Sequence, residues 1–321
     1  MRVLTTIMLH RGRFSVRILV VGGSGLIGSH VVDVLRERGH AATTVARTAR
    51  PGVDHAVDVG SASTDDLRPL LAGHDGVVYA TRTDEQRPLP KPIYPVFRRD
   101  NVEPVVRLFT AARQEGLTRG VIMGSYYTYF DRLHPQLRLT ARHTYIRCRV
   151  EQAREGRAAA GPDLPVAVLE LPFVFGRAGD RLPNWAGPLD RWARSRTPLA
   201  VPAGGTAAAS ARSVAEVAAN ALEQARGADI PIADENLTWN DMIARIAEAV
   251  GRRRRVARLP AGAVRASLRL GGALQALSRK ESGVNPTHLA DLLLADLFIE
   301  PTTGRSLEPA LRETFADAPT T

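Results

Sequence analysis

Three glycines spaced three residues apart, Gly22, Gly25 and Gly28 in VVGGSGLIGSH (20–30), are the first residues whose type and spacing point to chemistry. They stand where an apolar run gives way to helical periodicity. A strand–loop–helix unit of this kind is an anion site. Gly22 lets the chain turn sharply, Gly25 leaves room for the backbone to approach a pyrophosphate, and Gly28 lets helix and strand pack closely. The unpaired N–H groups at the start of the helix, where Leu26 and Ile27 lie, face the phosphates, and the helix dipole favours their charge. Dinucleotide binding is the expectation; the plainer alternative is a tight turn that uses glycine only for shape.

The end of the second strand reports on the adenosine ribose. An acidic residue there accepts the 2′-hydroxyl and repels a 2′-phosphate. This chain has Ala46 and then Arg47, and a guanidinium can fork onto a phosphate. NADP(H) is therefore favoured over NAD(H), against the alternative that Arg47 is one more surface arginine in an arginine-rich chain. Asp58, with Val59 beside it, either accepts from the adenine amino group or caps the turn that follows. Ala80 and Thr81, at the end of the fourth strand, complete the expected cofactor side.

These residues need a scaffold, and the periodicity supplies one. VRILVV (16–21) reads as a buried parallel strand. Helical spacing of Ile27, Val31, Val34 and Leu35 follows, closed by Gly39. Further strands are expected at 41–46, in a short stretch that ends near Val57 and Asp58, and at 76–81, 120–125 and 165–171. Helices are expected at 64–72, 101–115 and 143–160. Strict alternation predicts an α/β fold, a Rossmann-type doubly wound parallel sheet. Beyond residue 175 the pattern becomes turn-rich, with helices expected at 213–226, 238–250, 261–278 and 286–296. The expected division is a disordered leader (1–15), a dinucleotide-binding domain (16–175) and a smaller, mostly helical substrate lobe (176–321), whose strands are free to return to the main domain. The final ADAPTT is expected to fray.

The 321 residues, 44% of them hydrophobic, suffice for this architecture. No apolar stretch reaches membrane-spanning length. The basic N-terminus lacks a clear cleavage site and is read as a leader rather than a signal peptide. One cysteine, Cys148, excludes an intramolecular disulfide and a multi-cysteine zinc site, and no metal site is expected; a cytoplasmic protein fits. The net charge of +10 is carried almost wholly by arginine, spread along the chain. Arg252 to Arg255 form the one dense run, read as a solvated turn after the helix ending near Gly251. No clear nucleic-acid or membrane partner emerges.

The Gly22-x-x-Gly25-x-x-Gly28 spacing resembles the extended short-chain dehydrogenase/reductase superfamily, also called the NAD-dependent epimerase/dehydratase family. The likeness runs from residue 16 to about 310. NVEPVVRLFTAARQEGLTRGVIMGS (101–125) resembles that family's fourth helix and fifth strand, with Asn101 at its structural asparagine. ELPFVFG (170–176), containing Pro172, resembles the segment beside the nicotinamide, and NLTWNDMIARIAEAVG (236–251) resembles an element of the substrate lobe. Val21, Gly124 and Glu170 depart from the family pattern, which more often has Thr, Ser and Arg there.

The resemblance implies a catalytic Ser or Thr, a Tyr and a Lys, the last two one helical turn apart. Ser125 stands at the serine position and Tyr145 at the tyrosine position. Arg149 replaces the lysine, and this is the main departure, because the two cations differ in shape and chemistry. In the family the tyrosine is the acid/base, and the cation lowers its pKa and holds the nicotinamide ribose. The implied function is an NAD(P)-dependent oxidoreductase or epimerase acting on a hydroxyl or carbonyl of a small organic substrate. The alternative is a non-catalytic NADP-binding regulator or scaffold of the same fold. The family often dimerises, so a homodimer is also compatible. SYYTYFD (125–131) concentrates aromatic residues after the fifth strand. Tyr126, Tyr127 and Phe130 are expected to form an aromatic wall for a ring-containing or apolar substrate, or else to pack the loop against the second lobe.

Overall fold

Four of the five residues of β1 (Arg17–Val21) are buried, and the strand has a neighbour on each side in a parallel sheet. The computed structural model that contains it describes residues 15–81 and 88–316. The leader and the frayed C-terminus expected from the sequence lie almost wholly outside those residues. The other strands of the sheet are β2 (Ala41–Ala46), β3 (His55–Ala56), β4 (Gly76–Tyr79), β5 (Arg119–Met123), β6 (Val166–Glu170) and β7 (Asp229–Pro231). All seven run parallel, in the order β7-β6-β5-β4-β1-β2-β3. The strand order reverses between β1 and β4. A crevice for ligands opens at the carboxyl ends of strands at such a switch point.

Alternation along β1 divides the core. Ile18 and Val20 join Val31 and Leu35 of α1 (Leu26–Glu37) and Val214 and Ala218 of α5 (Ala211–Glu223) on one face. Leu19 and Val21 join Leu67 and Leu71 of α2 (Thr64–Leu71) and Leu108 of α3 (Glu103–Gln114) on the other. α4 (Thr144–Ala160) packs against α3 on that second face. Each of the buried Val, Leu and Ile side chains among these contributes roughly 1.5–3 kcal/mol. Helix α1 ends as the sequence requires: Gly39 takes φ +85°, its N–H donates to Arg36 O (3.0 Å), and His40 N–H donates to Leu35 O (2.9 Å). This paired closure is the Schellman motif.

The chain leaves the main sheet after β6 and returns to it. α5 and β7, from the stretch expected to form the lobe, complete the sheet and one of its faces. The lobe itself is not purely helical. A four-stranded sheet joins Phe173–Phe175, Gly205–Ser210, Glu235–Thr238 and Asp296–Leu297, with Gly205–Ser210 pairing to all three others. Helices Ala186–Arg194, Trp239–Ala249, Ala261–Leu277, Pro286–Leu293 and Glu308–Phe315 accompany it. Among the described residues no helix is long and apolar enough to cross a membrane.

Candidate active site

The glycine loop divides its labour among three positions. Gly22 takes φ +85°, and a Cβ there would lie 2.8 Å from Ala80 O. Its N–H donates to Val45 O at 2.8 Å, tying the turn to β2. A Cβ on Gly28 would lie 2.1 Å from Gly22 O, so α1 sits against the loop at a distance only glycine permits. Gly25 is different. It is the N-cap of α1 without a side-chain cap, the first turn holds no acidic residue, and a Cβ there would meet only Gly22 O, at 3.2 Å. The outer side of the loop is therefore open, above first-turn N–H groups that lack intrahelical acceptors. Leu26 and Ile27 line a cavity of about 680 Å³ that continues past Ala80, Thr81 and Pro172.

Arg47 follows β2 directly, is exposed, and makes no hydrogen bond or ion pair through its side chain with the described residues. It lies outside the cavity lining, as does Asp58. Asp58 shapes its turn: its Oδ1 accepts Gly60 N–H (3.0 Å) and its carbonyl accepts the N–H groups of Ser61 and Ala62 (both 3.1 Å). Val59 is a core residue, packed with Val21 and Leu67.

Ser125, Tyr145 and Arg149 line the same cavity. Ser125 sits two residues beyond β5, and its Oγ lies 3.4 Å from Tyr127 N. The preceding Gly124 departs from the family's usual residue for a visible reason: a Cβ there would lie 2.7 Å from Val168 Cγ1 and 2.8 Å from Leu169 O. Tyr145 occupies the first turn of α4, and its N–H donates to Gly283 O at 2.8 Å, fastening the helix start to the lobe. One turn on, Arg149 is 3% exposed, with Cζ 5.9 Å from the Tyr145 ring centroid. One Nη donates to Met123 O. Its Nε and other Nη are buried without a hydrogen-bond partner among the described residues. A guanidinium kept from water with two donor groups unmet is costly. It is the chemistry of a site waiting for hydroxyl or other oxygen acceptors.

The far end of the cavity is apolar. Tyr126 and Tyr127 line it from beyond β5. Phe173, Trp185, Trp239, Leu289 and Leu297 line it from the lobe. Tyr126 Oη lies 3.1 Å from Thr206 Oγ1, and burial pushes its phenol above the usual range. Trp239 Nε1 donates to Leu293 O at 2.9 Å, so its ring is held while its face stays apolar. Among the described residues, Arg149 is the only charged one lining this space. Phe130, expected in the wall, does not line the cavity. The segment after β5 is a helix, Tyr127–Leu133, and Phe130 lies buried along it, against Tyr126 at 5.5 Å and Tyr129 at 5.2 Å.

Two groups whose roles the sequence did not reveal hold this arrangement in place. Glu170, fully buried at the end of β6, accepts both Nη groups of Arg132 (2.8 and 2.9 Å) and the Thr128 hydroxyl. It thus pins the helix that carries Tyr127, which explains a carboxylate where the family more often has arginine. His143, the residue before α4, accepts Asn285 N–H through Nδ1 at 3.0 Å, and its Nε2 is buried without a partner. Burial pushes the imidazole down to about 4. A single sequence carries no signal for either, because each depends on a partner distant along the chain.

A family model described as the NAD dependent epimerase/dehydratase family matches residues 18–193, more than half of the chain. The chain belongs to the NAD-dependent epimerase/dehydratase family. No curated protein matches it. This family member resembles many solved structures across most of its length. The structure titled gox2253 shares 21% identity, with TM-score 0.71, covering 94% of this chain and 96% of that one. The human epimerase family protein SDR39U1 (isoform 2), solved with NADPH, shares 19% identity, with TM-score 0.67, covering 93% and 99%. The UDP-N-acetylglucosamine 4-epimerase from Bacillus cereus shares 17% identity, with TM-score 0.63, covering 94% and 98%. At such identities the likeness establishes the shared fold.

Proposed function

We propose that this epimerase/dehydratase family member is an NADP(H)-preferring oxidoreductase or epimerase that acts on a hydroxyl or carbonyl carbon of a small organic substrate with an apolar body. One observation carries the reading: Ser125, Tyr145 and Arg149 line a single cavity with Leu26 and Ile27, the first residues of the glycine-loop helix. The residues fit a dinucleotide on two counts, the open loop at Gly25 and the unmet donors of Arg149. Gly22, Gly25, Gly28 and the start of α1 would hold its diphosphate. Ala80, Thr81 and Pro172 would border it, Arg149 would donate to ribose hydroxyls, and the unengaged Arg47 would take a 2′-phosphate. Bound there, the nicotinamide supplies a carbon that gives or accepts hydride.

The chain's own side chains handle the oxygen. Tyr145 Oη delivers or removes the proton at the reacting oxygen, and Ser125 Oγ hydrogen-bonds that oxygen and orients it. The Arg149 guanidinium offsets negative charge that develops between them. Trp185, Trp239, Phe173 and the two tyrosines receive the apolar body of the substrate. The alternative, a cofactor-binding regulator without turnover, is favoured by one observation. Arg149 stands where the family has lysine and spends one Nη on Met123 O, which restrains how far it can serve the site.

Calorimetric titration of the purified chain with NADP(H) and NAD(H) tests the first step, and a panel of apolar ketones and alcohols on the preferred form tests the second. Turnover that tracks the absorbance of the reduced nicotinamide supports the enzyme. Binding without turnover supports the regulator. Failure to bind either nucleotide overturns both.

A further inference from the structure

Helix Ala261–Leu277 is out of keeping with the rest of the molecule. Of its 17 residues only Val264 is buried. Leu270, Leu274 and Leu277 are 64%, 58% and 81% exposed, the three most exposed large hydrophobic side chains among the described residues. Helical spacing places them with Ala263, Ala266 and Ala273 on one stripe. Along about 25 Å of helix, at 1.5 Å per residue, this is a continuous apolar strip rather than a scatter of single residues.

The charge around the strip is one-sided. Residues 249–280 hold nine cations and no Asp or Glu. Arg253, Arg254 and Arg265 are engaged with Glu248, with main-chain carbonyls and with Asp291. The side chains of the remaining six, Arg252, Arg255, Arg258, Arg269, Arg279 and Lys280, make no ion pair with the described residues, and all six are exposed. Arg258 precedes the strip, Arg269 flanks it, and Arg279 and Lys280 follow it.

We propose that this helix and its basic flanks dock the protein onto an anionic phospholipid surface, lying in the plane of the interface with the leucines in the acyl boundary. An apolar helical face bordered by arginines fits that surface. It fits a second copy of this chain poorly, because a two-fold contact places the same patch opposite itself and would set these unpaired cations against each other. The chain leaving the helix runs straight into the cavity wall at Ser282 and Val284, which joins the docking face to the apolar end of the site.

Sedimentation with lipid vesicles tests this on the full chain. Vesicles of phosphatidylcholine and phosphatidylserine should bind it at least tenfold more tightly than phosphatidylcholine alone, and added salt should weaken the binding steeply. Because the side chains are exposed, substitution should leave the fold intact, as circular dichroism and thermal melting would verify. The combined variant Leu270→Ser, Leu274→Ser and Leu277→Ser should lose binding at least tenfold. Each of Arg258→Gln, Arg269→Gln and Arg279→Gln should lose about fivefold, the factor that corresponds to roughly 1 kcal/mol per cation at such a surface. Equal binding to both vesicle types, or binding untouched by the leucine variant, overturns the proposal. So does a dimer in solution that the leucine variant dissolves while vesicles bind neither form.

Discussion

The two ends of the cavity are built by different means. The end proposed for the cofactor is made by main chain: a loop whose three evenly spaced glycines, Gly22, Gly25 and Gly28, lie within seven residues, set by carbonyl contacts at Ala80, Val45 and Gly22. The end proposed for the substrate is made by side chains that arrive from Tyr126 and Tyr127, from Phe173, from Trp185 and Trp239, and from the stretch Ser282–Leu297. Backbone geometry imposes a local rule on residue type, so the first end has little freedom to vary. Packing an apolar pocket requires only compatible volumes and shapes. The first end should therefore fail abruptly when altered and the second gradually.

The largest effect belongs where the two ends meet. Tyr145→Phe should lower turnover about 10²–10⁴-fold, the usual worth of a positioned acid/base, with melting temperature and cofactor affinity unchanged. Steady-state kinetics beside calorimetry checks this, and an active phenylalanine variant would sink the assignment of the acid/base.

Within the loop, two alanine substitutions should part company. Gly28→Ala puts a methyl 2.1 Å from Gly22 O and should cost about 3 kcal/mol or more of stability, as forced overpacking does. Gly25→Ala meets the protein only at 3.2 Å. It should melt nearly as the parent does while losing cofactor affinity tenfold or more. Paired thermal melts and nucleotide titrations separate the two, and equal melting temperatures would contradict the close approach at Gly28.

Acid should act first at the substrate end. His143 is about 4 folded, against an ordinary 6.5, so the unfolded chain binds the extra proton throughout that interval. Stability is fully present above pH 6.5 and falls as the pH drops toward 4, by on the order of 3 kcal/mol from this group. His288, Arg142 and Asp291 face the same imidazole; the first two oppose its protonation and the Asp291 carboxylate favours it. His143→Asn should flatten that part of the profile in pH-dependent denaturation. An unchanged slope would show that other groups govern acid unfolding.

The smallest effect is expected at the wall. Tyr127→Ala should weaken an apolar ketone about tenfold and leave nucleotide affinity alone. Equal affinities in parent and variant would place the substrate elsewhere in the cavity.

This contrast also explains what could be read without coordinates. Burial of Ile18 to Val21 and the 3.6-residue period of Val31, Val34 and Leu35 are local signals, and they located β1, the loop and α1 closely. β3 is only His55–Ala56, exposed at the sheet edge, and so short a strand writes no pattern of its own; its expected end near Val57 and Asp58 lies a residue or two past its real end at Ala56. Tyr145 and Arg149 were legible because one helical turn joins them. Phe130 was misplaced because the tyrosine-rich segment forms a helix, and its period carries that ring past the cavity. Glu170 stood out only as a departure from the family pattern and His143 not at all, and the roles of both were unreadable because their partners, Arg132 and Asn285, lie 38 and 142 residues away in the chain.

The re-entry of the polypeptide through α5 and β7 bears on how the molecule can be dissected. A fragment stopping at Arg194 would keep all the elements that contact nucleotide in the proposed reading, yet it would bare the apolar flank normally sheltered by Val214, Ala218 and Leu222 and leave β6 as a raw sheet margin. Such a piece should clump rather than persist in solution. Exchanging substrate specificity with a relative therefore calls for grafting in two portions around residues 205–231, not for a single splice.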